Sequence, residues 1–296
     1  MPSPQFIELY QRARDEPPRA DRAIEDLRED MEHQARQKPL APNFTVEEVQ
    51  ADGVTAEWVV SPLADRSRVL LYFHGGGYYR GSHRTVREMT GRISSASGWA
   101  ILNVDYALAP EHKFPVAVDQ AVAAAKWLTG QEGVTNWAVG GDSCGGGLAM
   151  ALMLRLREAG DPLPSAGVLL SPWVDLTQSG ASYVDRAAED PNMTKEYLDR
   201  FAGMYLGDAD PRDPLASPLF ARLAGLPPLL IQVGTAEVLL DDSRRLAEKA
   251  HAAGVSARLE EWEGMIHVWQ NLGPGLPEAV SATHQIGDFL KQLTGN

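Results

Sequence analysis

One cysteine, Cys144, is all the thiol chemistry in this 296-residue chain. That excludes an internal disulfide and any Cys-x-x-Cys metal site, and it fits a reducing compartment. Long hydrophobic runs are missing too: no stretch nears the roughly 18 apolar residues that a membrane-spanning helix needs. The N-terminal region alternates charge and apolar side chains, as in "RADRAIEDLREDMEHQAR", and has no apolar signal core. Basic residues are outnumbered, 27 Lys and Arg against 40 Asp and Glu, for a formal net charge of -13. Such a surface repels phosphate backbones and anionic lipid, so neither nucleic acid nor stable membrane association is expected. No repeat of roughly 20 to 50 residues and no low-complexity segment interrupts the pattern. The expectation is a soluble protein of the cytoplasm.

What the chain does have is core: 44% of its residues are hydrophobic, enough for one large α/β domain. Short apolar runs recur at 67–77, 99–106, 136–143, 166–173, 227–237 and 256–264, each closed by glycine, proline or aspartate. They read as buried parallel strands. Between them lie helical stretches such as "FPVAVDQAVAAAKWL" and "CGGGLAMALMLRLREAG", the latter ending at Gly160 and Pro162. Alternating strand and helix predicts an α/β fold, a mostly parallel central sheet with helices on both faces. Two segments break the rhythm. Residues 1–45 read as helices preceding the first strand, and residues 177–212 as an insertion rich in Tyr and Met. Together they are expected to form a helical cap on the remaining domain, 46–296.

"GDSCG" at 141–145 fits Gly-x-Ser-x-Gly at the junction of an apolar strand and a helix. On such a turn the serine takes a strained backbone conformation, and its neighbours two before and two after must lack bulk. Gly141 and Gly145 meet that need, and Ser143 then sits at a helix N-terminus that favours developing negative charge. The competing reading is a phosphate-binding or packing turn, but a phosphate loop wants a lysine after its glycines and this helix continues "GGGLAMALML". "YFHGGGYYRGS" at 72–82 also follows a strand. The His-Gly-Gly-Gly pattern is the oxyanion-hole loop that accompanies a serine elbow, so Gly76, Gly77 and the amide of Cys144 are the expected donors. His74 reads as a structural hydrogen-bonder, and the side chain of Cys144 as a bystander turned away from the reacting centre.

The order on such a fold is nucleophile, acid, histidine. Of seven histidines, His267 follows the last apolar run, while His251 and His284 fall within helices. "QVGTAEVLLDDS" offers Glu237, Asp241 and Asp242 as the acid; Glu237 stands nearest the strand end, and the aspartates suit entry to the next helix.

With these sites in order, the chain resembles the bacterial hormone-sensitive-lipase-like carboxylesterases, family IV of the α/β-hydrolases, over about residues 67–290. The motifs are "HGGGYYRGS", "DYALAPEHKFPVAVDQ", "GGDSCGGGLA", "SPWVDLT", "DPLASP", "GTAEVLLDDS" and "GMIHVW". The resemblance implies a triad of Ser143, Glu237 and His267, a helical cap, no metal or cofactor, and a homodimer as an expected assembly. Cys144 stands where the family's usual motif has alanine, and Glu237 where an aspartate is commoner. Asp105, Tyr106 and Pro110 are expected to brace the glycine loop, and Asp142 to point away from the acyl group. Tyr78, Tyr79, Trp173, Met204 and Tyr205 are candidates to line the pocket. The implied activity is hydrolysis of short-chain esters. The alternatives are a lactone hydrolase, a small-molecule acetylhydrolase, and a non-catalytic ligand receptor on the same fold, against which His267 and Glu237 together argue.

Overall fold

A computed structural model describes residues 2–15 and 22–293. Residues 1, 16–21 and 294–296, which fall within the expected cap and the end of the expected domain, lie outside the described residues. Two helices come first, α1 (Pro4–Asp15) and α2 (Ile24–Arg36), followed by an antiparallel pair, β1 (Thr45–Ala51) and β2 (Val54–Val60). Strand and helix then alternate: β3 (Asp65–Phe73), α3 (Arg87–Ser97), β4 (Trp99–Val104), α4 (Val116–Thr129), β5 (Asn136–Asp142), α5 (Cys144–Ala159) and β6 (Gly167–Leu170). After α6 (Ser182–Asp185) and α7 (Lys195–Leu206) the rhythm resumes with β7 (Leu229–Gly234), α8 (Leu240–Ala252), β8 (Ala257–Trp262) and α9 (Pro277–Gln292).

The eight strands form one sheet in the order β1-β2-β4-β3-β5-β6-β7-β8, parallel from β4 to β8. Period-two alternation decides which side chains go where. Val69, Leu71 and Phe73 of β3 join the apolar cluster with α4, α5 and α8, while Leu70 and Tyr72 join the one with α3 and α9. This is the α/β-hydrolase fold: both faces of the sheet are covered, which is why the central strands read as unbroken apolar runs.

Two expectations need correction. The strands begin at Thr45, not at the run near residue 67. β1 is exposed along most of its length, so no apolar run marks it. Its signal is the Asp52-Gly53 turn, both residues at positive φ (53° and 81°), which lets a tight hairpin match the strand twist. The run at 256–264 is not fully buried either: β8 pairs only with β7 and, as an edge strand, alternates toward solvent.

No helix among the described residues is long and apolar enough to cross a membrane.

Candidate active site

Ser143 stands between the end of β5 and the first residue of α5, with φ 55° and ψ -124°. This conformation costs a non-glycine residue about 1–3 kcal/mol and is held only where surroundings over-determine it. Here they do: Ser143 N donates to Leu170 O (2.8 Å), and Trp173 N donates to Ser143 O (2.9 Å). Strand and helix meet closely enough that a Cβ on Gly141 would lie 2.3 Å from Gly145 O, and one on Gly145 would lie 2.1 Å from Phe73 O. The Ser143 hydroxyl is buried and has no hydrogen-bond partner among the described residues.

His267 lies beyond β8 and borders the same cavity as Ser143. Its Nδ1 is 2.8 Å from Glu237 Oε2. Glu237 is fully buried, and its other oxygen accepts from Gly234 N (2.6 Å) and Ser171 Oγ (2.8 Å). Ser171 in turn accepts from Val268 N at 3.2 Å, so it ties the carboxylate to the histidine's own loop. Burial lowers the His267 pKa, but the bond to Glu237 and the charges of Glu237, Asp190 and Asp142 outweigh it, leaving the imidazole above its ordinary value. Of the three acids the sequence offered, Glu237 is the one that reaches His267. Asp241 accepts from Ser182 N (2.9 Å), and buried Asp242 accepts from the amides of Val174 and Asp175 and from the Tyr183 hydroxyl.

The glycine loop is fixed from several sides. Tyr106 Oη donates to His74 O at 2.7 Å and stacks on the His74 ring, while Ala109 N donates to Tyr78 O. His74 Nδ1 sits 2.7 Å from Gly75 O, and burial lowers its pKa, as suits a structural role. From outside the sheet, Arg28 of α2 donates to Tyr79 O (2.7 Å) and Ala109 O (2.9 Å), and the Ser82 hydroxyl donates to Glu32 Oε1 (2.6 Å). Cys144 Sγ is fully buried and accepts from Tyr78 N at 3.2 Å, with the Gly77 amide also directed at it; burial pushes the thiol up to about 12. Gly76 borders the cavity beside Ser143.

The cavity has a volume of about 960 Å³. Its wall is mixed: Leu27, Met31 and Met193 line it together with Arg22, Lys38, Arg80, Asp15 and Asp30. Of the expected lining residues, Tyr78, Trp173 and Tyr205 are fully buried in the core behind the glycine loop, Tyr78 stacked on Tyr205 at 3.8 Å. Tyr79 stacks on Phe201, and Met204 packs at the edge of the same core. None of the five is among the cavity-lining side chains. Asp142 departs from expectation the other way: held by Tyr72 Oη at 3.1 Å, it still borders the cavity, and burial raises it to about 6.

Sequence reasoning missed Ser171, Asp190, Arg80 and the cap side chains. Asp190 accepts from the amides of Asn192, Met193 and Val238, the residue after Glu237, and burial raises it to about 6. Its only sequence signal is the Asp-Pro-Asn turn. Ser171 has a better one, following an apolar run and preceding a proline. No group of three or more His, Cys, Asp or Glu that could hold a metal ion occurs among the described residues.

A buried carboxylate, an imidazole and a strained hydroxyl around one cavity, beside the Gly76 backbone, can activate an oxygen nucleophile and stabilise an oxyanion. Known proteins are similar to this chain in sequence and fold. The family described as alpha/beta hydrolase fold matches residues 70–271. An acetyl-hydrolase of Streptomyces hygroscopicus is 46% identical over 243 residues, 81% of each chain. An esterase of Acinetobacter venetianus is 36% identical over 270 residues, 90% of this chain and 88% of that one. The crystal structure of an esterase from the bacterial hormone-sensitive lipase family superposes with a TM-score of 0.95 at 45% identity, covering 100% of both chains. By fold, motif order and kinship the chain belongs to the bacterial hormone-sensitive-lipase-like family of α/β-hydrolases and is a carboxylic ester hydrolase.

Proposed function

We propose that the protein is a serine carboxylesterase that hydrolyses short-chain esters through an acyl-enzyme on Ser143. The observation that carries this is the 2.8 Å contact between His267 Nδ1 and buried Glu237, made on the cavity that Ser143 borders. With Nδ1 bonded to the carboxylate, Nε2 is the nitrogen left to take the Ser143 proton. The serine oxygen then attacks the ester carbonyl, and the oxyanion is met by the amides of Gly76 and Cys144, while the Gly77 amide, expected as a third donor, is directed at Cys144 Sγ. His267 returns its proton to the leaving alcohol, water attacks the acyl-enzyme by the same route, and Ser143 is regenerated. Segments 1–45 and 177–212 act as the cap: Leu27, Met31 and Met193 come from them to wall the cavity.

The packing behind the loop supports a preference for short acyl chains. Tyr78, Trp173 and Tyr205 fill the core side, so the cavity does not extend into the space behind the loop that they occupy. A panel of p-nitrophenyl esters is expected to turn over fastest at two to about four acyl carbons; a steady rise toward the longest chains rejects that preference. Ser143→Ala is expected to lose roughly a million-fold in turnover. Retained hydrolysis by this variant would sink the mechanism. A second reading, removal of an acetyl group from a small molecule, is favoured by the 46% identity to the Streptomyces acetyl-hydrolase. Rates on an N-acetylated amino-acid analogue and on a matched butyrate ester separate the two.

A further inference from the structure

The wall of the cavity carries a cation that forms no ion pair among the described residues. Arg80 borders the cavity together with Gly76, Ser143 and His267. Its stem crosses the glycine loop, so that a Cβ on Gly76 would lie 3.1 Å from Arg80 Cγ. Its guanidinium carbon lies 5.3 Å from the centroid of the Tyr79 ring, a face that orients the planar group and favours its charge. Arg80 Nε is buried and has no hydrogen-bond acceptor among the described residues.

The neighbouring charges are already committed. Arg22 pairs with Asp30, whose carboxylate also feels the charge of Arg80, and Arg28 pairs with Glu111 at 2.8 Å; Arg80 itself forms no ion pair among the described residues. On the same cavity Lys38 donates to Asn271 O (2.7 Å), with Glu88 near enough to act on its charge. The cavity wall holds Arg22, Lys38 and Arg80 against Asp15, Asp30 and Asp142, and of the three cations Arg80 is the one with no side-chain hydrogen bond or ion pair among the described residues. An unsatisfied guanidinium nitrogen away from water is costly, and the group that best relieves it is a planar anion able to take two parallel N–H bonds.

We propose that Arg80 is a specificity residue that binds a carboxylate carried by the substrate, so that the preferred substrates are anionic esters such as half-esters of short dicarboxylic acids. The inference rests on the esterase reading above. It adds that one end of the substrate is the reacting ester and the other an anion anchored beside the glycine loop.

The test compares isosteric pairs near neutral pH. The ethyl half-ester of glutaric acid is paired with ethyl 5-methylhexanoate, for a carboxylate on the acyl side. The butyrate ester of 3-hydroxypropanoic acid is paired with 3-methylbutyl butyrate, for a carboxylate on the alcohol side. In at least one pair the wild-type enzyme is expected to favour the anionic ester in kcat/KM, and Arg80→Gln to lower that preference about 10- to 100-fold, chiefly through KM. Arg80→Lys is expected to restore part of it. Glutarate itself is expected to inhibit neutral-ester hydrolysis by the wild type competitively, a readout that needs no variant. If the wild type favours the neutral ester in both pairs, if Arg80→Gln leaves the preference unchanged, or if glutarate does not compete, the inference is overturned and the esterase reading stands. Hydrolysis of none of the four probes by the folded wild type overturns both.

Discussion

At the scale of single residues, the site depends on what each polar group is bonded to. Cys144 illustrates this: its amide begins α5 beside Ser143, while its thiol is an acceptor for the Tyr78 amide within the core. Cys144→Ala is therefore expected to keep ester hydrolysis, because the backbone remains. It is expected to cost about 1–3 kcal/mol in chemical denaturation, because a buried N–H loses its acceptor. The folded wild type is expected to resist alkylation, since the thiol is buried and its pKa is about 12. An inactive but folded Cys144→Ala would move the sulfur into the chemistry.

His267 makes a second prediction at this scale. In the proposed mechanism the neutral imidazole is the base, and its pKa lies above the ordinary 6.5, so activity is expected to rise with pH through a midpoint above that value. Glu237→Gln removes the main raising influence, so the acidic limb moves to lower pH while turnover drops on the order of 10,000-fold. Asp190→Asn removes a more distant charge and is expected to move the limb the same way by less. A pH–rate profile that Asp190→Asn leaves unmoved would show that this carboxyl acts only through its loop.

At the scale of elements, the decisive contact is the approach of β3, β5 and α5. A methyl group at Gly145 would lie 2.1 Å from Phe73 O and 2.6 Å from His74 O, both backbone atoms that cannot swing aside. Gly145→Ala is expected to destabilise the fold by about 3 kcal/mol or more and to displace the Ser143 turn. Urea denaturation and residual esterase activity check the two effects separately; a variant with wild-type stability would mean that the elements meet less closely. The same closeness explains why this turn was legible in the sequence: five glycines around a serine and a cysteine leave few other geometries. The β1–β2 hairpin was harder to read, because an exposed edge strand carries no apolar run.

At the scale of the whole molecule, buried acids set the response of stability to pH. Burial raises Asp142 and Asp190 to about 6 and Asp242 to about 8, against 3.8 for an ordinary aspartate. The folded chain thus holds protons that the unfolded chain releases, and stability falls as pH rises from about 4 through these values. His267, raised in the folded state, has the same sign, losing stability as pH climbs above its unfolded 6.5; His74, lowered by burial, opposes it near and below that value. The urea midpoint is expected to drop between about pH 5 and about pH 8, and Asp242→Asn is expected to shrink the drop. A midpoint that rises across that window contradicts the assignment.

The sequence by itself determined whatever rests on local chemistry and chain order. The serine turn, the glycine loop, the position of His267 after the last strand and the choice of Glu237 all follow from residue types at strand ends, where backbone geometry leaves little freedom. Tertiary structure alone decided the rest, because it depends on elements far apart in the chain. Ser171 is 66 residues from Glu237 and 97 from Val268, yet bonds both. Asp190 reaches Val238 across 48 residues. Tyr78, Trp173 and Tyr205 read as pocket residues by position, but three large rings from separate segments bury one another when they meet, and the cavity wall passes to Leu27, Met31, Met193 and Arg80. No local pattern shows which cations will border the cavity; that is settled only when α2, the glycine loop and the segment after β8 close around the same space.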